Sequence, residues 1–191
     1  MTPPDISVDW YRAVTEFAAG LPGWVRALAE TATTGVLALL AMGFAVAWLR
    51  SRTPQARAVA LLAPAATVIA YLLSETAKSL WQQDRPCRAV SGTIAECPPL
   101  GDWSFPSNHA TLAGAAAVGL IIAWRRAAFF AVPAALLEAA SRVIVGVHYP
   151  HDVLAGLILG GSVAALVVLL LRDPLTRQLT NSRRWSRTHS Q

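Results

Sequence analysis

Four stretches of this chain carry no fixed charge for seventeen to twenty-two residues. Nineteen residues separate Glu30 from Arg50, seventeen Arg57 from Glu75, twenty-two Asp102 from Arg125, and nineteen Asp152 from Arg172. A helix rises 1.5 Å per residue, so about 20 apolar residues cross the roughly 30 Å hydrocarbon layer. Lipid offers no partner to a backbone N–H or C=O, so runs of this kind must satisfy their hydrogen bonds internally, as helices do. A fifth run, Ala127 to Val147, is interrupted by Glu138 and Arg142. Those charges demand protein-lined or wet surroundings inside a membrane. A soluble fold does not fit. Only 14% of the residues are charged, against about 25% in an average soluble domain, and too little polar sequence remains to cover five apolar helices. The expected fold is an all-α, polytopic transmembrane helical bundle, with helices near 31–50, 58–80, 107–124, 127–147 and 151–171.

The net charge is +5, but the placement of the charges argues against nucleic acid as a partner. Arg50, Arg52 and Arg57 fall in the first short loop, Arg125 and Arg126 in the third, and Arg172, Arg177, Arg183, Arg184 and Arg187 in the C-terminal tail. Basic residues flanking spans mark the cytoplasmic side, and five spans put all three clusters on one face. The N-terminus is then outside the cell membrane and the C-terminus inside. Residues 1–30 set Asp5, Asp9, Glu16 and Glu30 against Arg12 and Arg26, which suits an external start. The polar, proline-bearing beginning does not read as a cleavable signal. Segment 8–19, with Trp10, Tyr11, Val14 and Phe17, reads as a helix lying on the outer membrane surface or packed on the spans. Residues 1–172 are expected to form one membrane domain, with 1–30 as an extracytoplasmic, interfacial segment. Residues 173–191 are expected as a basic tail, on the anionic inner leaflet or without fixed structure.

Loop 81–106 is the one long connection, and long ordered loops in compact domains are often functional. It holds both cysteines, Cys87 and Cys97. On this topology the loop faces outside, where oxidation is allowed, so a disulfide is expected to close it.

Three segments hold nearly all the unusual polar residues: Lys78 to Pro86, Pro106 to His109, and Ser141 to Asp152. The topology sets each of them within about two helical turns of the outer boundary. Lys78, Arg85 and Arg142 supply cations, and Lys78 is the single lysine among sixteen basic residues. Arginine presents a fork matched to phosphate oxygens, and lysine adds a point charge. Pro106 suits the first position of a helix, which would put Ser107, Asn108 and His109 in a first turn whose free N–H groups and dipole favour an anion. His148 and Asp152 stand four apart, a spacing that lets the carboxylate reach the imidazole. Accepting one ring N–H leaves the other nitrogen free to attack phosphorus. His109, from another helix, is placed to protonate the leaving oxygen, a role worth about 10²–10⁴-fold, and then to activate water against the phosphohistidine. No metal or cofactor is required.

These segments resemble the signature of the type 2 phosphatidic acid phosphatase superfamily, which also includes vanadium haloperoxidases. Lys78, Arg85 and Pro86 match its Lys, six residues, Arg-Pro motif. Pro106, Ser107 and His109 match its Pro-Ser-Gly-His motif, with Asn108 in place of glycine. Ser141, Arg142, His148 and Asp152 match its Ser-Arg, five residues, His, three residues, Asp motif in full. The resemblance implies a helical core of the haloperoxidase type, His148 as nucleophile, Asp152 as its partner and His109 as general acid. It implies Lys78, Arg85, Ser107 and Arg142 as phosphate ligands, and Asn108 would add its backbone N–H. Members commonly have six spans, one more than the count made here.

Plainer readings stand beside these. His148, His151 and Asp152 could ligate a metal, but three nearby cations would repel a divalent ion. His151 lies off the His148/Asp152 face and reads as a solvated interfacial residue, and His189 as tail. Asp84 could pair with Arg85. Glu138 and Ser141 are expected to orient Arg142, and Glu75 to do the same for Lys78. Gly114, Gly156, Gly160 and Gly161 permit close helix packing or leave a groove for a lipid tail. The favoured function is an outward-facing lipid phosphatase acting on a polyprenyl diphosphate of the undecaprenyl type. The alternatives are a phosphatidylglycerophosphate, phosphatidic acid or decaprenylphosphoryl ribose phosphate phosphatase. An anionic-lipid transporter would use the cations but has no use for two histidines and an aspartate. The expected partners are the lipid substrate and membrane lipids, and the sequence does not address oligomeric state.

Overall fold

The computed structural model describes residues 2–90 and 92–188, with side chains to residue 182. His189 and the side chains of Arg183, Arg184 and Arg187 lie outside the described residues. Among the described residues there are six α-helices: α1 (Asp5–Ala19), α2 (Gly23–Arg50), α3 (Pro54–Trp81), α4 (Asn108–Ala123), α5 (Ala128–Ile144) and α6 (Pro150–Thr188). Short 3₁₀ turns follow α3 at Pro86–Arg88 and precede α5 at Arg125–Ala127.

Local chemistry explains several boundaries. Thr53 caps α3 by accepting the Ala56 N–H at 3.1 Å, and Pro54 takes the first helical position, where its missing N–H costs nothing. Gln82 closes α3 in the left-handed region, φ 46°, with its N–H on the Lys78 carbonyl. The end of α5 is a Schellman motif. Val147 N–H bonds Arg142 O at 3.2 Å, Gly146 N–H bonds Val143 O at 3.0 Å, and Gly146 supplies the required positive φ of 88°, which a side chain would resist. His148 N–H also reaches Arg142 O, at 3.3 Å. The five residues between Arg142 and His148 are thus the length of one helix stop, folded back on itself.

Four helices are long and apolar enough to span a membrane: α2, α3, the segment Arg125–Ile144 and α6. The remaining expected span, 107–124, is shorter. α4 has 16 residues, about 24 Å at 1.5 Å per residue. Of the twenty-two uncharged residues between Asp102 and Arg125, Trp103 to Ser107 form the loop ahead of it. α4 compensates by sitting at the centre, packed on α2, α3, α5 and α6, and its face-to-face burial fits a helix that is apolar all round. Its small residues let neighbours approach: a Cβ on Gly114 would lie 2.5 Å from Leu157 O, and one on Gly156 of α6 would lie 2.5 Å from Ser107 O. Leu39 and Met42 of α2, Val68 of α3, Phe129 and Leu136 of α5, and Ile158 and Leu166 of α6 remain exposed. An apolar surface of that extent suits lipid, not water. The chain is a multi-pass membrane protein.

Two boundaries differ from the sequence reading. The first span begins at Gly23, not after Glu30, so residues 1–30 are not one segment. Arg26 and Glu30 are exposed, and a helix of 28 residues exceeds the hydrocarbon thickness by about 12 Å, which leaves its charged first turns outside. At the other end, α6 runs through Asp173 to Thr188 instead of giving way to a separate tail. The Thr176 and Thr180 hydroxyls bond back to Arg172 O and Thr176 O, and apart from Pro174 nothing in the local sequence breaks a helix.

Candidate active site

The three polar segments meet at one end of the bundle, opposite the end where the Arg50 guanidinium lies 4.8 Å from the Trp124 ring centroid. Ser107 N–H bonds Asp152 O at 3.0 Å, which ties the start of α4 to the start of α6. Ser104 N–H bonds Gln83 O at 2.8 Å, which ties loop 82–107 to itself. Cys87 and Cys97 are joined in a disulfide, Cα to Cα 5.7 Å, in the same loop.

Lys78 and Arg85 are both almost fully buried, and one carboxylate holds the two together. Asp102 Oδ1 accepts from Lys78 Nζ at 3.0 Å and from Arg85 Nη2 at 2.8 Å. Burial works to raise the Asp102 carboxyl, but hydrogen bonds from Arg85 and Lys78 and their charges hold it below the usual carboxylate value. Glu75 lies 3.8 Å from Lys78 Nζ. The Arg142 side chain forms no hydrogen bond or ion pair among the described residues, and its Nε is buried without a partner.

The expected Glu138–Arg142 contact is not made. Glu138 is fully buried and both its oxygens lack a hydrogen-bond partner. A spacing of four residues permits such a pair but does not enforce it, and here neither carboxylate oxygen bonds the guanidinium. Ser141 does not orient Arg142 either, because its hydroxyl donates to Glu138 O at 2.7 Å. Asp84 pairs with Arg88 at 2.9 Å, not with Arg85.

His148 is the best defined of the candidates. It is 1% exposed, with Nε2 3.1 Å from Arg85 Nη1 and Nδ1 3.5 Å from Asp152 Oδ2 and 3.4 Å from Ser104 Oγ. A guanidinium can only donate, so Nε2 must carry the lone pair and Nδ1 the proton. Burial, then the Arg85 and Arg142 charges, push the imidazole down to about 4 against the pull of Asp152, so the ring is neutral near pH 7.

Asp152 faces an unusual number of donors. Oδ2 accepts from Ser104 Oγ at 2.5 Å and from Tyr149 N–H at 2.9 Å, and Oδ1 from Gln83 Nε2 at 2.9 Å, with His151 Nε2 at 3.0 Å. The bond to Tyr149 N–H is the return arm of a capping box, since Asp152 is the third residue of α6. This arrangement works against the metal reading of His148, His151 and Asp152. Both carboxylate oxygens are filled by N–H and O–H groups, and Arg85 sets a positive charge beside Nε2.

His109 occupies the first turn of α4, close enough to Arg142, His148, Lys78 and Arg85 for each charge to act on it. Ser107 precedes α4 as its cap, accepting from Ala110 N–H at 3.5 Å, so Pro106 lies outside the helix and not at its first position. The Asn108 side chain turns toward α3, where Oδ1 accepts from Ser74 Oγ at 2.6 Å and Nδ2 donates to Glu75. Any contact of Asn108 with an anion is left to its backbone N–H.

Sequence reasoning missed Asp102, Ser104 and Gln83. Each is a polar residue two to five positions from a motif residue, but polarity in a loop is too common a signal to single them out.

A PAP2 superfamily model matches residues 58–174, more than half of the chain and all three polar segments. The chain belongs to the PAP2 superfamily. Among PAP2 relatives, an undecaprenyl-diphosphatase from Sulfolobus acidocaldarius is 38% identical over 102 residues, which are 53% of this chain and 50% of that one. A decaprenylphosphoryl-5-phosphoribose phosphatase from Mycobacterium tuberculosis is 35% identical over 116 residues, 60% and 62% of the two chains. This chain therefore spans about half to three-fifths of the length of these curated relatives. The PAP2 fold is shared with a solved transmembrane PAP2-type phosphatidylglycerolphosphate phosphatase from Bacillus subtilis, TM-score 0.65 at 22% identity, over 86% of this chain and 85% of that one.

Proposed function

We propose that this protein hydrolyses the terminal phosphate of a lipid phosphate or diphosphate, with His148 as nucleophile, and that its preferred substrate is a polyprenyl diphosphate. The single observation that carries the reading is the ordering of partners on His148, with a donor-only arginine at Nε2 and a carboxylate at Nδ1. The substrate phosphate draws the Arg85 guanidinium onto its own oxygens and so frees the Nε2 lone pair; Nε2 attacks phosphorus, the N–P bond forms, and the bond from phosphorus to the lipid-side oxygen breaks. Protonated His109 gives its proton to that oxygen. Asp152 stabilises the imidazolium through Nδ1–H, while Arg85, Arg142 and Lys78 stabilise charge on the equatorial oxygens. Water then attacks the phosphohistidine with His109 as base, and phosphate leaves. These steps use side chains alone and need no metal.

Two named relatives support a polyprenyl-linked substrate: one is called an undecaprenyl-diphosphatase and the other a decaprenylphosphoryl-5-phosphoribose phosphatase. A phosphatidylglycerophosphate or phosphatidic acid substrate is the second reading, favoured by the fold shared with a phosphatidylglycerolphosphate phosphatase. The site is assigned to the extracytoplasmic face of the cell membrane, N-terminus out and C-terminus in, because Arg50, Arg52, Arg57, Arg125 and Arg126 gather at the opposite end. The test is a substrate panel in chelator-treated proteoliposomes, with acid-quench trapping of phosphate on His148. The expected result is fastest turnover of undecaprenyl diphosphate and no turnover by His148→Ala. Full activity of that variant would end the proposal.

A further inference from the structure

His151, which the sequence presents as a solvated residue beside the motif, is held from four sides. Its ring stacks between Phe105, 5.8 Å away, and Tyr149, 5.6 Å away. Nδ1 lies 2.7 Å from Ser7 Oγ of α1, and Nε2 is hydrogen-bonded to Gln83 Oε1 at 3.2 Å with Asp152 Oδ1 as a close neighbour at 3.0 Å. The backbone N–H of His151 donates to Ser7 Oγ as well, at 3.3 Å. That leaves the Ser7 hydroxyl proton for Nδ1. An acceptor Nδ1 puts the ring proton on Nε2, where it meets the Gln83 carbonyl.

The consequence falls on Gln83. With its Oε1 bonded to His151, its Nε2 turns to Asp152 Oδ1 at 2.9 Å. Gln83 is 1% exposed, so water does not compete for either end of the amide. A flipped amide would set a carbonyl oxygen against the carboxylate and cost an unmade hydrogen bond on both sides. We propose that His151 is a positioning residue for catalysis. It locks the Gln83 amide so that an N–H, not a C=O, faces Asp152, and Ser7 fixes its tautomer. The N-terminal helix thereby becomes part of the active-site framework.

This inference rests on the reading of His148 as nucleophile. Hydrogen bonds run from the Ser7 hydroxyl to His151, from His151 Nε2–H to Gln83, and from the Gln83 amide to Asp152, which faces the Nδ1–H of His148 from the other side. No proton travels along the row. Its donors hold the Asp152 carboxylate ionised and in place against the ring that becomes cationic when the N–P bond forms. Ser7, His151 and Gln83 make no hydrogen bond or ion pair with Lys78 or Arg142 among the described residues, so their loss should lower kcat and spare KM.

Two substitutions separate hydrogen bonding from packing. His151→Phe keeps a ring between Phe105 and Tyr149 and removes both ring hydrogen bonds. His151→Gln loses the ring but keeps one acceptor and one donor. In proteoliposomes with undecaprenyl diphosphate, His151→Phe should lower kcat about tenfold or more with KM within about twofold. His151→Gln should retain at least about a third of kcat, and Ser7→Ala should show a smaller loss of the same kind. Because the hydrogen bond from His151 goes to Gln83, with Asp152 only a close neighbour of Nε2, adding His151→Phe to Gln83→Leu should cost far less than the sum of the two single losses. An active His151→Phe, or losses that add in the double variant, would overturn the inference while an inactive His148→Ala keeps the nucleophile reading intact. Hydrolysis by His148→Ala, with no phosphohistidine in the unaltered protein, would overturn both.

Discussion

Two carboxylates in this bundle, Asp152 and Glu138, are equally inaccessible to solvent and could hardly be treated more differently. Asp152 is surrounded by Ser104, Tyr149 N–H, Gln83, His151 and His148. Glu138 has no hydrogen-bond donor at either oxygen. Position along the helix accounts for the contrast. Asp152 lies in the first turn of α6, where backbone N–H groups are still free and a loop brings side chains in. Glu138 lies inside α5, where backbone N–H groups are already committed to the preceding turn, and its neighbours in that helix, Ala135 and Ala139, are buried alanines. Polar chemistry in a bundle of this kind is sustained at helix ends, and a polar group at mid-helix carries an uncompensated cost.

The largest expected effect comes from breaking the satisfied carboxylate. Asp152→Asn would turn an amide N–H toward groups that are themselves donors, and phosphate release should fall by about 10³-fold or more. Steady-state turnover of a lipid phosphate measures it, and loss of less than about tenfold would mean that Asp152 does not govern His148. Next in size, Gly156→Leu would drive a side chain into the Ser107 carbonyl, 2.5 Å from the Cβ position, and part α4 from α6 just where Ser107 N–H meets Asp152. Overpacking of this kind costs about 1–3 kcal/mol. A lowered melting temperature together with lost turnover is expected, and unchanged melting would show that the helices can separate freely.

The acid side of the stability profile tests the same end of the molecule. His148 takes a proton near 4 in the fold but near the ordinary histidine value of about 6.5 when unfolded. As pH falls from about 6.5 toward 4 the unfolded chain gains a proton that the native one refuses, so stability declines across that window and is unaffected by this group above it. Melts between pH 7 and 4.5 should show a shallower decline in His148→Asn than in the parent, and parallel curves would argue against burial of a neutral ring. At the unsatisfied carboxylate the direction reverses. Glu138→Leu removes a buried group without partners and should stabilise by about 1–2 kcal/mol in thermal unfolding. A loss of stability would reveal a partner for Glu138 in the working protein. The smallest effect is expected at Asp102, a partly exposed carboxylate with two cationic donors. Asp102→Asn removes the charge that competes with phosphate for Lys78 and Arg85, and inhibition by inorganic phosphate should tighten about two- to fivefold. Weaker inhibition would show instead that Asp102 positions the two cations.

Much of the site was legible because its chemistry is carried at fixed spacing. The four-residue step from His148 to Asp152 spans the turn into α6 and brings carboxylate and ring together, with Nδ1 3.5 Å from Oδ2. Lys78 and Arg85 bracket the end of α3 and share Asp102. The same spacing logic failed for Glu138 and Arg142, which share a helix face but do not touch, because local geometry permits contact without supplying a reason for it. The spacing is silent on the Asn108 side chain, which goes to Ser74 and Glu75 on α3.

What the sequence determined alone was the kind of fold and the end of the bundle where the candidate site lies. Uncharged runs of membrane-spanning length leave helices as the available structure, and three polar segments at the ends of those runs meet wherever the helices are packed in register. The tertiary structure decided which side chains stand around the candidate nucleophile. Gln83, Ser104, His151 and Ser7 come from four separate places in the chain. Their arrangement exists only because α1, α6 and the long loop approach closely enough for one buried carboxylate to gather donors from the loop and from the start of α6, with Ser7 of α1 holding His151. A hydrogen bond requires distance and direction at once, and no one-dimensional pattern specifies either across 145 residues, the span from Ser7 to Asp152.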